Sequence, residues 1–353
     1  MRLNISFFLI VFFPIIAKSN DTLRILTFPK HLQLYTKLGP SYSEVEVLNP
    51  DIENIILFEH NPQSTLGFGF SYSWLSMGLS FTLPSPKDDL LLYGKTNKFD
   101  FVSHYTMKRS ILDLTLKWYK GFYISNPEEY IPDWRKVDPY PRVPDLETVV
   151  ISISYAYIFK PEKYSSGAAF TFDKAMRKSG GSWMAGSYIS INEVSADSSI
   201  IPKSIQQYVD PELDLSKITF SNIGASIGYS HLFTIRKKNF ISFTILPGLS
   251  YQMISQCSSI DGSISESKEL ALRSIIKFSV GRNGDKFYWG FASHFESSIV
   301  KHNGTELYIN SGNGEVFFGY RFDTSSWRFM KRVDRIMHPK VLRKILGTPP
   351  DRD

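Results

Sequence analysis

Residues 66–72 read LGFGFSY, a stretch in which large apolar residues alternate with glycine or serine. Successive side chains of a β-strand point to opposite faces of the sheet. The apolar residues therefore share one face, and the small residues share the other. The stretch predicts a β-strand with one apolar face and one face of small or polar residues.

The same period of two recurs along residues 64–322, for example in VVISISYAY (149–157) and in ISFTI (241–245). About twelve such segments have roughly the 9–11 residues that a tilted membrane strand needs. A soluble β-sandwich also alternates, with its apolar face inward. Large aromatic residues near the segment ends, opposite a face of glycine, serine and charges, favour the membrane form. The fold class is therefore predicted as all-β, an antiparallel transmembrane β-barrel of about 12 strands, with a short C-terminal amphipathic helix.

The composition narrows the class of protein. Among the 353 residues, 42% are hydrophobic and 21% are charged, which excludes a disordered chain. After the N-terminus no run of 18 apolar residues occurs, so a polytopic helical membrane protein is excluded. The single cysteine, Cys257, allows neither an internal disulfide nor a Cys-based zinc site. Much of the +6 net charge lies near the C-terminus, which argues against a nucleic-acid partner.

The chain divides into four predicted parts. Residues 1–19 combine a basic start with a short apolar run and small residues at Ala17 and Ser19, which is typical of a cleaved signal peptide. Residues 20–60 form an N-terminal preface or the first strands, and residues 61–323 form the barrel. Residues 324–353 form a basic, partly helical tail, which either lies on an anionic membrane surface or caps the periplasmic mouth. The predicted location is the outer membrane, with outer-membrane lipid and the barrel-assembly machinery as partners.

The connections between segments alternate between short and long, as expected of outer-membrane barrels. Short links are predicted near residues 73, 108 and 283, and longer polar links at 84–96, 121–147, 193–216 and 255–267. The alternation slips once, between residues 176 and 216. Either a strand is missing from the count, or one loop folds into the lumen.

No catalytic or cofactor motif is recognisable. The chain has no zinc-protease His-Glu-x-x-His, no phosphate-binding loop and no Gly-x-Ser-x-Gly elbow. No metal and no cofactor is therefore predicted. Eight polar residues fall on the predicted lumen face: Asp100, His104, Asp113, Lys117, Arg273, Lys277, His294 and Glu296. They could form a catalytic or gating cluster, but an ion-pair network that fills a small barrel is favoured. His60 is predicted to be solvated.

Several blocks of the sequence resemble a known family. They are LGFGFSYSWLSMGLSF (66–81), YGKTNKFDF (93–101), WYKGFYISNP (118–127), YPRVPDL (140–146), SSGAAFTFDKAMRKSGGSWMAG (165–186) and IGYSHLF (227–233). Over residues 50–323 the chain resembles the domain-of-unknown-function 4421 family of Bacteroidetes-type envelope proteins. The motif residues are Tyr93, Gly94, Lys95, Thr96, Tyr119, Lys120, Gly121, Arg142, Pro144, Asp145, Ser179, Gly181 and Ser182. The resemblance implies a signal peptide and an outer-membrane barrel, and it implies no established activity.

The leading hypothesis is a non-enzymatic outer-membrane barrel that serves envelope structure, transport or surface interaction. A barrel that hydrolyses lipid or peptide through His104 or His294 is an alternative, and so is a soluble periplasmic β protein.

Overall fold

The computed structural model describes residues 24–28, 30–49, 54–72, 75–107, 109–131, 133–202, 205–206, 214–302 and 305–337. The predicted signal peptide and the part of the tail after Met337 lie outside the described residues. The strands are β1 (Ile25–Thr27), β2 (His31–Asn49), β3 (Asn54–Glu59), β4 (Ser64–Tyr72), β5 (Leu75–Thr82), β6 (Asn97–Thr106), β7 (Ser110–Ile124), β8 (Arg142–Ile158), β9 (Lys174–Met176), β10 (Gly180–Ser195), β11 (Leu215–Ile235), β12 (Asn239–Ser258), β13 (Ile264–Asn283), β14 (Phe287–His302) and β15 (Thr305–Asp323).

Twelve antiparallel strands close into a ring. In order they are β2, β4, β5, β6, β7, β8, β10, β11, β12, β13, β14 and β15. The pairing of β15 with β2 closes the ring, with Glu306 opposite Leu48 at one end and Asp323 opposite His31 at the other. Closure pairs the first and last strands of the ring with each other, so that neither is left as an open sheet edge of the kind that aggregates or that a membrane excludes. The predicted barrel of about 12 strands is confirmed.

Strands β2 and β3 extend the barrel toward the N-terminus, to His31, beyond the predicted start at residue 61. The first half of β2 pairs with β4, and its second half pairs with β3. Strand β3 in turn pairs with the end of β7, through Phe58 and Glu59. Near the distal end, β3 therefore lies between β2 and β7, the position that β4, β5 and β6 occupy in the rest of the wall. Alternation alone left open whether residues 20–60 were strands, because YSEVEVL carries glutamates on its outward face.

The two ends of the barrel differ. At the end where β2 begins and β15 finishes, called here the terminal end, most connections are tight turns, such as those after Ile235 and Asn283. At the opposite or distal end, the connections after β5, β7 and β10 are long. The connection between β8 and β10, residues 159–179, is the exception, because it is long and lies at the terminal end.

The outer surface carries a continuous apolar band. On β8 the outward residues Ile151, Ile153 and Tyr155 are exposed, while Val150 and Ser152, which point to the other face, are buried. Aromatic side chains border the band at the terminal end: Phe159, Trp183, Tyr229, Phe287, Trp289 and Phe322. Beyond it at the distal end lie ion pairs, Lys120–Glu147 at 3.6 Å and Lys217–Glu193 at 2.8 Å. Such a band, flanked by aromatic residues, matches the lipid-facing surface of an outer-membrane barrel.

The connection 159–179, called here the plug, folds into the lumen at the terminal end. It contains a π-helical turn, Gly167–Thr171, and the short strand β9, which pairs with β1. Ala168, Ala169 and Phe172 are buried against inward residues of β12, β14 and β15, among others. This folded loop accounts for the slip in the alternation of short and long links. The sequence had left open whether a strand was missing instead.

A second core fills the distal end of the lumen. Inward residues of β2, β3, β7, β8, β10, β11, β12 and β15 meet there with Ile200, Ile201 and Ile205 from the β10–β11 connection. Tyr130, from the β7–β8 connection, packs into the same cluster. The distal end is therefore closed by apolar packing, in contrast to the polar middle of the lumen.

Two helices complete the described residues, α1 (Lys87–Tyr93) and α2 (Arg328–Met337). Helix α1 lies within the longer polar link predicted at 84–96. Asp88 and Asp89 occupy its first turn, where a negative charge interacts favourably with the helix dipole. In α2, Met330 is buried while Phe329 is exposed. No helix in the described part of the chain has the length and apolar character needed to cross a membrane.

Candidate functional site: the polar cavity in the lumen

A cavity of about 150 Å³ lies between the plug and the distal core. Phe170, Thr171 and Phe172 of the plug line it from the terminal side. On β7, Lys117 lines the cavity, and Tyr119, the next inward residue, belongs to the distal core. The cavity is therefore the part of the lumen that neither closure fills.

Glycines on the inner face make room for large side chains from neighbouring strands. A Cβ at Gly69 would lie 2.2 Å from the ring of Tyr35, and one at Gly319 would lie 2.1 Å from the ring of Tyr288. Tyr35 and Tyr288 both line the cavity. The alternation of glycine with large apolar residues in the sequence thus reflects both the lipid face and the packing of the lumen.

Asp113 links two other predicted lumen residues, His104 and Lys277. One of its carboxylate oxygens lies 2.7 Å from Nδ1 of His104, and the other accepts a hydrogen bond from Nζ of Lys277 at 3.0 Å. His104 is on β6, Asp113 on β7 and Lys277 on β13, so this contact crosses the lumen. An aspartate that bridges a histidine and a lysine can hold the histidine in one tautomer and can also serve purely as an ion-pair link.

Arg273 forms a second inward pair. Its guanidinium donates to Oε1 of Glu296 at 2.7 Å, and its Cζ lies 4.1 Å from the centre of the Tyr188 ring. Arg273 is buried, so the carboxylate and the aromatic face compensate for its lost hydration.

Lys37 and Glu315 form a third pair, at 2.8 Å between Nζ and Oε1. Asn313 donates to the same carboxylate oxygen at 2.7 Å. These three residues line the cavity and were absent from the predicted cluster. Lys37 lies in β2, which the sequence did not assign firmly to the barrel.

Asp100 accepts hydrogen bonds from the hydroxyls of Tyr119, at 2.6 Å, and Ser41, at 3.0 Å. The ring of His60 stacks on Tyr119 with 5.1 Å between ring centroids. His60 is buried, so the prediction that it is solvated was wrong. Its position just after β3 looked like a loop, but the chain there turns into the lumen.

Lys117 and His294 complete the eight predicted residues. Lys117 is 7% exposed and lines the cavity, yet no carboxylate of the described residues lies within ion-pair distance of its ammonium group. Asp100, Glu296 and Glu315 are near enough to interact with it through space. Nε2 of His294 is buried and has no hydrogen-bond partner among the described atoms. The structure thus brings all eight residues to the lumen. Six of them form hydrogen bonds or ion pairs, centred on Asp113, Arg273 and Asp100. The side chains of Lys117 and His294 have no direct partner among the described residues.

The family-like residues near the distal end hold loops together. The Thr96 hydroxyl donates to the carbonyl of Gly121 at 2.7 Å, and the side chain of Asn61 donates to the carbonyl of Gly94, also at 2.7 Å. A Cβ at Gly121 would lie 2.3 Å from the carbonyl oxygen of Lys95. The guanidinium of Arg142 donates to the carbonyl of Leu91.

Further contacts join the same connections. The Tyr93 ring packs against Tyr140, and the carboxylate of Asp145 accepts from the backbone N–H of Asp197 at 3.1 Å. Tyr119 and Lys120 bond to Asp100 and Glu147, as described above, and Pro144 is exposed on β8. These residues therefore fix the β5–β6 and β7–β8 connections to the barrel wall.

The remaining family-like residues secure the exit of the plug. The Ser182 hydroxyl accepts from the backbone N–H of Lys160 at 2.8 Å, and the Ser179 hydroxyl accepts from that of Thr234 at 2.9 Å. A Cβ at Gly181 would lie 2.3 Å from the hydroxyl of Tyr229. Their spacing in the sequence gave no sign of this role, because the contacts join residues far apart in the chain.

Among the described residues, no group of three or more His, Cys, Asp or Glu side chains is placed to hold a metal ion. The site is a network of ion pairs and hydrogen bonds around a small cavity.

Several solved outer-membrane structures are similar to the chain. The outer membrane protease OmpT from Escherichia coli matches at 10% identity over 86% of this chain and 100% of that chain, with a TM-score of 0.38. The translocator domain of the autotransporter NalP from Neisseria meningitidis matches at 10% identity over 83% of this chain and 88% of that chain, with a TM-score of 0.34. The P. putida toluene transporter TodX matches at 7% identity over 84% and 91%, with a TM-score of 0.28.

Comparison with curated proteins yields no match. A family model described as a domain of unknown function, DUF4421, matches residues 19–322, which include the whole strand ring up to Phe322. The chain belongs to the DUF4421 family of proteins.

Proposed function

We propose that the protein is a non-enzymatic outer-membrane barrel that does not conduct solutes and that presents its distal end at the cell surface. The observation that carries this proposal is the double closure of the lumen. The plug fills the terminal end, and a core of aromatic and aliphatic side chains fills the distal end. Small barrels generally fill their interiors with side chains, whereas barrels of 16 or more strands leave an aqueous channel.

The direction of insertion follows from the loops. Outer-membrane barrels have short turns on the periplasmic side and longer loops outside. Most connections at the terminal end of this chain are tight turns, and the long connections after β5, β7 and β10 lie at the distal end, which supports a periplasmic position for the terminal end and the plug. The distal part of the wall, where Glu44 and Glu46 face outward, then projects beyond the lipid.

Conductance in planar bilayers tests the proposal. The full protein is expected to give no steady channel current. A variant in which residues 165–175 are replaced by a flexible glycine–serine linker is also expected to be silent, because the distal core remains. Steady current from the wild type would overturn the proposal. Current from the linker variant alone would show that the plug is the only barrier, which contradicts double closure.

One observation favours a second function, hydrolysis of lipid or peptide. The Asp113–His104 contact of 2.7 Å is the geometry in which a carboxylate orients a histidine base. In the strand register Ser76 lies opposite His104. Phospholipid and peptide turnover would be compared between the wild type and His104→Ala, with the outward His231→Ala as the control. Equal turnover in all three proteins would rule this function out.

A further inference from the structure

Strands β5 and β6 separate before they end. Their pairing runs from Leu75 opposite Tyr105 to Leu79 opposite Phe101 and stops there. Strand β5 nevertheless continues to Thr82, paired with β4, and β6 begins at Asn97, paired with β7. Over three to four residues, the facing edges of the two strands are therefore not paired with each other. This gap in the wall is called here the seam.

The seam lies at the level of the distal membrane interface. Phe99, on the β6 side of the seam, is paired with Trp118, whose indole N–H donates to Glu147 at 2.8 Å. Tryptophan and ion pairs at this height mark the border between lipid and water. Unpaired backbone groups would cost several kcal/mol each in the hydrocarbon core. At the interface they can meet water or a lipid head group.

The cavity adjoins the seam from inside. Gly78 and Ser80 of β5 and Asp100 and Val102 of β6 all line it. Asp100 is paired in the sheet with Lys117, which lines the same cavity. A molecule that entered between the strands would therefore meet the ammonium group of Lys117, beside the carboxylate of Asp100, which accepts hydrogen bonds from Tyr119 and Ser41.

Of the three lysines that line the cavity, Lys117 is the one without a carboxylate within ion-pair distance among the described residues; Lys98, on the β6 side of the seam, donates to the Gln63 carbonyl at 2.9 Å. Lys37 and Lys277 each have a carboxylate partner within 3.0 Å. Lys117 has no such partner among the described residues, and its burial makes an added anion favourable. His294 offers a second buried polar atom in the same cavity. A cavity of 150 Å³ holds a group of about the size of benzene, which admits one carboxylate or phosphate and excludes a whole lipid.

The outer rim of the seam is apolar. Leu79, Phe81 and Phe99 are 53%, 61% and 48% exposed on the lipid-facing side. Leu91 of α1, in the connection between the same two strands, is exposed as well. An acyl chain can therefore lie against the rim while its head group occupies the cavity.

We infer that the seam is a lateral binding site for a single-chain amphiphile with a small anionic head group, a carboxylate or a phosphate, which pairs with Lys117. The inference rests on the membrane placement in the proposed function, but it does not need a silent lumen. A conductance result therefore leaves it intact, and a failure to bind amphiphile leaves the conductance result intact.

Photolabelling of the full protein in lipid nanodiscs tests the site. The probes are oleate and lysophosphatidic acid, each with a diazirine in its acyl chain. Saturable labelling is expected on peptides that contain residues 76–82 and 97–101. Lys117→Met should reduce it about tenfold, which corresponds to the loss of one charge-assisted hydrogen bond. Lys120→Met, on the outward face of the same strand, is the matched control and should label as the wild type does.

A disulfide that closes the seam provides a second, independent test of the binding site. In a Cys257→Ser background, a disulfide between Phe81→Cys and Phe99→Cys is expected to suppress labelling until it is reduced. Leu114→Cys with Ile153→Cys, an outward pair on β7 and β8, is the control disulfide. If the test disulfide does not form, Ser80→Trp fills the entrance instead. Heat-modifiable migration on gels verifies that each variant is folded.

The comparison of probes identifies the head group. Labelling by oleate alone indicates a carboxylate ligand, and labelling by lysophosphatidic acid alone indicates a phosphate. Labelling that does not saturate, or that survives both Lys117→Met and closure of the seam, would mean that lipid only coats the barrel, and the inference would be overturned.

Discussion

At the scale of single residues, Gly121 shows how a family-like position serves the fold. It has a φ of +94°, and a Cβ there would lie 2.3 Å from the Lys95 carbonyl oxygen. Gly121→Ala is therefore expected to lower the free energy of unfolding by about 2 kcal/mol or more, from backbone strain and the clash together. Urea unfolding in detergent micelles measures this change.

Gly262 supplies the control for that substitution. It also has a positive φ, of 68°, but nothing lies within 4 Å of its Cβ position. Gly262→Ala should cost about 1 kcal/mol or less, from backbone strain alone. Equal losses at the two positions would contradict the account of the Lys95 contact.

Asp113 is the residue whose loss should most disturb the lumen network. Asp113→Asn leaves Lys277 and His104 without their shared carboxylate, and we expect about 2 kcal/mol of destabilisation by urea unfolding. Combining Asp113→Leu with Lys277→Met removes both charges and should recover part of that loss. If the double variant is less stable than Asp113→Asn, the ion pair itself stabilises the barrel, and the cost of Asp113→Asn does not come only from the buried charge that it leaves unpaired.

At the scale of elements, the plug is held by contacts that the sequence could not reveal. Arg321 donates to the carbonyls of Gly284 and Phe172, both at 2.5 Å, and to the side chain of Asn283 at 2.7 Å. Arg321→Met should release the plug, seen as faster hydrogen exchange in residues 165–176 and cleavage there by protease. The control is Arg282→Met, on the outward face of β13. Unchanged exchange in the Arg321 variant would mean that apolar packing alone holds the plug.

Acid should loosen the same element. Asp285 accepts from Lys238 and pairs with Arg177 at the end of the plug, both at 2.6 Å. The hydrogen bond from Lys238, together with the charge of Arg177, lowers the pKa of Asp285. A lowered carboxylate pKa stabilises the folded form above the unfolded value of about 3.9, and that stabilisation is lost as the pH falls through the folded pKa. Protease sensitivity of the plug should therefore rise below about pH 4, and Asp285→Asn should weaken this dependence.

The sequence predicted wall elements better than lumen elements. Strands such as β8 are recognisable in the sequence, because lipid outside and packing inside impose a period of two on residues 149–157. The plug has no such period. Ala168, Ala169 and Phe172 are buried by contacts with strands more than 60 residues away, so only the slip in loop lengths hinted at it. The distal core likewise depends on Ile200 and Ile201, which occupy a link that appears polar as a whole.

The candidate site, too, was only partly predictable from the sequence. Residues such as Asp113 and Lys277 were predictable from the sequence, because each lies on the polar face of a strand whose other face is regularly apolar. Lys37 and Glu315 were missed as a pair, since their partnership requires β15 to close on β2. The seam between β5 and β6 could not be foreseen either, because both strands alternate regularly up to the point where their pairing stops.

The whole molecule is a barrel whose outer face is apolar and whose lumen is packed by the plug at one end and by the distal core at the other. The polar residues of the inner face lie between the plug and the distal core, around the cavity that adjoins the seam. We propose that the plug faces the periplasm and that the distal end faces the cell exterior, and protease shaving of intact cells tests this direction. Cleavage is expected in the long distal connections and not in residues 159–179.

A spin-label scan of β8 in lipid bilayers tests which face of the sheet meets lipid. Single positions from Val149 to Tyr157 are labelled in turn, with Cys257 replaced by serine. Collision with oxygen reports lipid exposure, and collision with a nickel chelate reports water. High oxygen collision is expected at Val149, Ile151, Ile153, Tyr155 and Tyr157, and low collision with both reagents is expected at the positions between them. Oxygen access at Ser152 and Ser154 would reverse the faces of the sheet, and nickel access there would mean an open pore; either result would contradict the account.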